Sequence, residues 1–228
     1  MIITQFIKQL NRTEVGLTET KDFFAHVPAP LVNILLNSLP PLGSKLDVTD
    51  ISSGLLYPKS DICLKKRKDN NQFRIEGLGP FFAKNSASAG DKFIFEIHNE
   101  NKKNKYFIGL EKRSHVIMFQ RSKIPKRKIN GVAVLNPDLF YKYYTNGIFT
   151  MSIFYQGKEI NVEIKWIYNK KKNKTYPDKV AFYDIKANGQ SILSDFKLNN
   201  DYGELDLTDR VLRKVCTYEM NIFKYSLK

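Results

Sequence analysis

The sequence predicts a mainly β fold with short helices, arranged as a β pseudobarrel followed by a second β-rich (α+β) domain. Three observations predict it. Apolar residues recur in short runs of strand length, each bounded by Gly, Pro, Asn or Asp. Helical spacing is confined to brief stretches. The 228 residues are more than one small barrel needs and enough for two cores. The expected division is 1–125 and 126–228.

The chain is organised around residues 73–97, FRIEGLGPFFAKNSASAGDKFIFEI. A short strand meets the corner Gly77-Leu78-Gly79-Pro80, where glycine tolerates positive φ and proline presets a turn value. One helical turn with Phe81, Phe82 and Ala83 follows, and Gly90-Asp91 leads into the apolar strand 93–97.

Before this unit, residues 2–10 alternate as an opening strand. Residues 11–21, polar and threonine-rich, read as an exposed loop. A second strand covers 22–27 and is stopped by Pro28 and Pro30. Residues 31–39 have helix-compatible apolar spacing, with Pro30 near the N-terminus. Strands are expected at 46–51 and 60–65, followed by the basic loop 65–72. After the unit, 105–110 pairs back on the preceding strand and 115–119 adds another. Residues 121–128, RSKIPKRK, read as a basic linker or strap. Beyond it a short helix is expected at 137–144 and strands at 149–155, 160–167, 180–185 and 191–196. Tyr155-Gln156-Gly157-Lys158 suits a hairpin turn, and 170–174 is a further basic loop. Residues 206–218 are expected to close the chain as a helix, with Leu207, Val211, Leu212 and Val215 on one face.

The formal charge is +14, and each expected half carries +7, from 19 basic and 12 acidic residues before the division and 18 and 11 after it. An even excess of this size favours a polyanionic partner. Cys63 and Cys216 are far apart and form no C-x-x-C pair, which fits a reducing compartment better than a disulfide framework. The first residues, Met1-Ile2-Ile3-Thr4, lack the basic start of a signal peptide. Nowhere do 18 apolar residues run together. The expectation is a cytoplasmic protein with no membrane partner.

The order strand, basic loop, strand, G-x-G-P-F-F, short helix, Gly-Asp, apolar strand resembles the B3-type DNA-binding pseudobarrel. That fold is known from plant transcription factors and, closer in pattern, from recognition domains of restriction enzymes of the EcoRII, BfiI and NgoAVII type. Residues 81–97 correspond to that family's signature, with Asn85 and Gly90-Asp91 at matching places; where the family carries a tryptophan, this chain has Gly79-Pro80-Phe81. The resemblance covers about the first half of the chain. In size and missing catalytic parts the chain is also similar to the N-terminal target-recognition segment of McrB-like, LlaJI-type restriction proteins.

The resemblance implies two loops, an N-arm and a C-arm, that clasp double-stranded DNA and read its major groove. By position the N-arm holds Arg12, Thr13, Thr18, Thr20 and Lys21, and the C-arm holds Lys65, Lys66, Arg67, Lys68, Asn70, Asn71, Gln72 and Arg74. These residue types suit the task. Arginine forks onto guanine, Asn and Gln pair with adenine, and lysines position phosphates. The implied role is target recognition in a bacterial restriction system. Cleavage and NTP hydrolysis would then reside in an AAA+ motor or nuclease, in the same longer polypeptide or in a partner subunit.

Two rival readings come from other classes. Asp138 after Pro137, with Glu163-Ile164-Lys165 in an apolar strand, imitates the PD-(D/E)xK constellation of metal-dependent endonucleases. An RNA-binding protein would share the same charge. Against enzymatic roles stand the absence of a G-x-x-x-x-G-K-[ST] phosphate loop and the scatter of His26, His98 and His115, so no cofactor or metal site is expected. Tyr141, Tyr143 and Tyr144 are candidates for stacking on bases or for core packing.

Overall fold

The computed structural model describes residues 1–17, 22–57, 61–124, 129–170, 180–196 and 201–225. It divides into two compact units, Met1–Lys112 with Tyr218–Lys228, and Arg113–Thr217. The division falls at 112/113 rather than at the expected 125/126, because the strand that runs through residue 121 pairs only with strands of the second unit. Residues 121–124 of the expected linker are therefore strand, while 125–128 lie outside the described residues.

In chain order the first unit has β1 (Ile2–Gln9), β2 (Phe24–Val27), α1 (Ala29–Leu36), β3 (Val48–Asp50), β4 (Leu56–Tyr57), β5 (Cys63–Lys66), β6 (Phe73–Glu76), α2 (Gly79–Lys84), β7 (Lys92–Glu100) and β8 (Lys103–Glu111). The second has β9 (Val116–Ile124), β10 (Ile129–Val134), α3 (Pro137–Tyr141), β11 (Ile148–Tyr155), β12 (Lys158–Lys170), β13 (Val180–Ala187), β14 (Gln190–Ser191), a 3-10 turn (Leu193–Asp195), β15 (Asp201–Asp206) and β16 (Val211–Cys216). The last strand, β17 (Tyr218–Lys224), returns to the first unit and pairs with β1.

Two sheets build the first unit, one in the order β17-β1-β7-β8-β3-β4 and one of three strands, β2-β6-β5. The alternation read in β1 puts Thr4, Phe6 and Lys8 on the buried face. Phe81 and Phe82 of α2 drop into the core edge-on to Phe93, with Phe82 and Phe93 centroids 5.9 Å apart. The motif residues of this region act structurally. Asn85 ends α2 by donating to the Phe81 carbonyl at 2.9 Å, and the Asp91 carboxylate accepts the Ser88 amide at 2.8 Å and the Lys112 ammonium at 2.6 Å. Gly77, at φ +80°, brings the backbone so close to Asp61 and Ile62 that a Cβ would collide with both.

The second unit is a closed barrel. Its order is β10-β9-β15-β16-β11-β12-β13, and β13 pairs back onto β10 at Tyr183↔Val132 and Phe182↔Ala133. Phe119, Phe140, Phe149, Ile153, Ile164, Ile185 and Leu205 fill its core. The hairpin turn expected at 155–158 is present, with Gln156 and Gly157 at φ 50° and 77°, values that a two-residue hairpin loop requires.

Two expectations are overturned here. Residues 206–218 form no helix: Thr208, Asp209 and Arg210 turn the chain, and β16 runs antiparallel to β15. Val211 and Val215 are β-branched and fit that pleated surface, and the 3.6-residue spacing of the apolar side chains is a coincidence of two strands and a turn. Residues 191–196 are also not a strand. After two residues of β14 the chain makes the 3-10 turn, and Ile192, Leu193 and Phe196 pack into the barrel core from it.

Candidate nucleic-acid interface

The three-stranded sheet carries the site. Its register sets Phe24, Glu76 and Cys63 in one row, Ala25, Ile75 and Leu64 in the next, then His26, Arg74 and Lys65, then Val27, Phe73 and Lys66. Ala25, Ile75 and Leu64 are buried in the core. By strand alternation the His26–Arg74–Lys65 row lies on the opposite face, a ladder of nitrogen-bearing side chains across three strands.

The two expected arms leave this sheet at opposite ends. The loop after β1 enters at Phe24, beside Glu76 and Cys63, and the β5–β6 hairpin turns beyond Lys66 and Phe73. The exposed face therefore has one arm at each end.

The hairpin is held by its own polar residues. Arg67 donates its amide to the Gln72 carbonyl at 2.8 Å, the Gln72 amide donates to Asn70 Oδ1 at 3.1 Å, and Asn71 adopts φ 56°. Lys66, Lys68, Asn70, Asn71 and Gln72 are exposed. Glu76 draws in two cations, Lys65 at 3.6 Å and Arg67 at 3.4 Å. Arg74 is different in kind. Its side chain is 11% exposed; the guanidinium lies 4.0 Å from the Phe24 ring centroid, donates to Gln72 Oε1 at 2.9 Å and faces Asp22 at 3.8 Å. Its fork is occupied within the protein, where it fixes Gln72 in place.

The other arm is anchored by a buried ion pair absent from the sequence-based site. Glu14 has a fully buried side chain and meets Lys8 Nζ at 3.1 Å; the Lys8 ammonium also donates to the Gln9 carbonyl. The Glu14 carboxylate further accepts the amides of Asn11 at 2.9 Å and His26 at 2.8 Å, and the Glu14 carbonyl accepts the Phe24 amide. One carboxylate thus ties the loop's start to the sheet's edge strand. The signal was available in the β1 alternation, since an inward-facing Lys8 requires a buried acid. Arg12 and Thr13 sit half-buried in the turn this anchor holds, while Thr18, Thr20 and Lys21 lie outside the described residues. Burial pulls the His26 pKa below its usual value; Glu14 opposes the shift, and Lys8 and Arg74 reinforce it.

The rival constellation is not gathered in the same way. Asp138 is exposed in the first turn of α3, and Glu163 pairs with Lys165 at 3.0 Å on β12. Across the sheet Glu163 faces Thr150 and Lys186, which supply no second carboxylate. Among the described residues no group of three or more His, Cys, Asp and Glu side chains is placed to hold a metal ion, and no helix is long and apolar enough to cross a membrane.

No family model matches the chain, and no curated protein does. Among solved structures, it is similar to the Arabidopsis FUS3–DNA complex at 16% identity and a TM-score of 0.36, over 46% of this chain and 94% of that one. It is also similar to a hypothetical Arabidopsis thaliana protein at 17% identity and a TM-score of 0.32, over 47% of this chain and 89% of that one.

Proposed function

We propose that the first unit binds double-stranded DNA in a sequence-specific manner, with the β2-β6-β5 face against the duplex and the two arms in the major groove. The observation that carries this is the pair of cations, Arg74 and Lys65, that stand side by side on that face, bracketed at either end by a loop. Lys65 on this face and Lys66 and Lys68 at the hairpin position phosphates, while Asn70, Asn71 and Gln72 of the hairpin present amide edges that match adenine. Arg67 is the arginine placed to reach a guanine once DNA competes for its contact with Glu76. Arg74 orients Gln72. The chain acts as the target-recognition module of a bacterial restriction system, with cleavage and NTP hydrolysis supplied by an AAA+ motor or nuclease in a longer polypeptide or partner subunit.

The test is selection from a random duplex pool at physiological salt, with magnesium-dependent cleavage followed in parallel. The expected result is enrichment of a short motif without cleavage. Lys66→Ala, Arg67→Ala and Lys68→Ala together should abolish that enrichment and leave the unfolding midpoint unchanged. For each phosphate that a variant no longer neutralises, the slope of log affinity against log salt should flatten by about 0.9. Undiminished motif binding by the triple variant overturns the assignment.

A further inference from the structure

The second unit carries an aromatic ledge that its own packing does not use. β12 departs from regular pairing between Trp166 and Tyr168, so that an extra residue enters the strand. Ile164 is buried, and simple alternation would bury Trp166 too, yet Trp166 is 53% exposed. Its indole is not loose. Nε1 donates to Asn169 Oδ1 at 3.1 Å, and its amide donates to the Tyr144 hydroxyl at 3.3 Å.

Tyr144 links this tryptophan to a second exposed ring. The Tyr141 ring lies 6.3 Å from that of Tyr144 and is itself 53% exposed, while its hydroxyl contacts that of buried Tyr183 at 3.1 Å. Phe140 backs the group, 4.9 Å from Tyr144 and 5.0 Å from Tyr183. Two large flat side chains thus stand toward solvent, Trp166 bonded to exposed Asn169 and Tyr141 to buried Tyr183.

The charge of the unit selects the ligand. Lys142 is exposed next to Tyr141, Asp138 is exposed one helical turn before it, Lys165 and Glu163 pair with each other at 3.0 Å, and Asp184 accepts from Ser191 Oγ at 2.6 Å. The unit as a whole has 19 basic against 10 acidic residues, a net +9. A cationic ligand for an aromatic cage is repelled here, and an anionic ligand with flat apolar faces is attracted.

We infer that this ledge binds single-stranded DNA, with Trp166 and Tyr141 stacking on unpaired bases and Lys142 facing the phosphates. The choice of DNA over RNA rests on the duplex-reading role proposed for the first unit; the ledge itself does not depend on it.

Trp166 is the only tryptophan in the chain, so its fluorescence reports this site alone. Titration of the full chain with a twelve-residue oligothymidylate should quench it saturably, whereas heparin, which has charge but no bases, should not. With labelled oligothymidylate, Trp166→Ala should weaken binding about 5- to 100-fold, and Trp166→Phe should keep most of the affinity. The Lys66, Arg67, Lys68 triple variant should still show the quench, which separates failure of the ledge from failure of the duplex-reading face. Equal quenching by heparin, undiminished binding by Trp166→Ala, or loss of the quench in the triple variant overturns the inference. Tighter binding of oligouridylate than of oligothymidylate overturns the assignment to DNA.

Discussion

The two units treat their sheet edges in opposite ways. The first leaves a three-stranded sheet open at both ends, hangs a loop from each, and holds one of those loops with a buried ion pair. The second closes seven strands on themselves and keeps pairs such as Glu163–Lys165 in partial contact with water. The second is also the more basic, at +9 against +5 from 18 basic and 13 acidic residues in the first. Net charge therefore does not locate the face proposed to read duplex DNA. What distinguishes that face is where cations stand on a sheet between two anchored loops.

The largest expected contrast sets a buried carboxylate against an exposed one. Glu14→Gln leaves the Lys8 ammonium buried without its counter-charge and should cost about 3–5 kcal/mol, read from denaturant unfolding. Glu163→Gln breaks a half-exposed pair and should cost at most about 1 kcal/mol. Similar losses at the two positions would mean that the Lys8–Glu14 pair does not hold the loop.

A second contrast uses two glycines with nearly equal φ. At Gly77 a Cβ meets the Asp61 carbonyl group and the Ile62 nitrogen, whereas at Gly157 it meets open space. Gly77→Ala should therefore destabilise by about 2–4 kcal/mol, combining left-handed strain with overpacking, and Gly157→Ala by about 1 kcal/mol from strain alone. Equal losses would show that close approach at the β6–α2 corner contributes nothing.

The same distinction decides what could be read without coordinates. Where partners are near in sequence, the chain spells its structure. The alternation of β1, the Gly-Leu-Gly-Pro corner and the Gln156-Gly157 turn all fall where their residues place them. Apart from the local misreadings at 191–196 and 206–218, the failures are long-range. β10 carries Gly131 in a short run, and β13 closes the barrel on it from across the unit. β17 finds β1 from the far end of the chain, a pairing no local pattern announces. At the candidate interface the hairpin cations are legible as a charge run, but the ion pairs that commit Arg74 and Arg67 are not, because Asp22 and Glu76 reach them only through strand register.

Acid sensitivity extends the comparison. Burial would raise the Asp50 pKa, but hydrogen bonds from the hydroxyls of Ser52 and Ser53 and the Ser52 amide, with the charge of Lys84, outweigh it and hold the carboxyl at about 2. A depressed folded pKa gives stability that is fully present above the unfolded value near 3.8 and is lost as pH falls toward about 2. Asp50→Asn should remove roughly 2 kcal/mol of stability at neutral pH and flatten the pH dependence in that window. An unchanged acid limb would show that the serine contacts do not favour the charged form.

His26 gives the smallest effect and the sharpest local test, because it sits in the ladder row and touches the Glu14 anchor through its backbone. Its folded pKa lies below the usual 6.5, chiefly from burial, so between the two values the unfolded chain binds more protons than the folded one. Stability should then decline as pH drops below about 6.5. His26→Gln keeps the amide that donates to Glu14 and removes the titrating ring, so its unfolding midpoint should be flatter across that range. If the wild type and the variant decline in parallel there, the ring titrates as in the unfolded chain and the face around it is open to water. A slope that disappears with the ring instead places the protonation at the junction of the anchored loop and the sheet, where an approaching phosphate would favour the charged form.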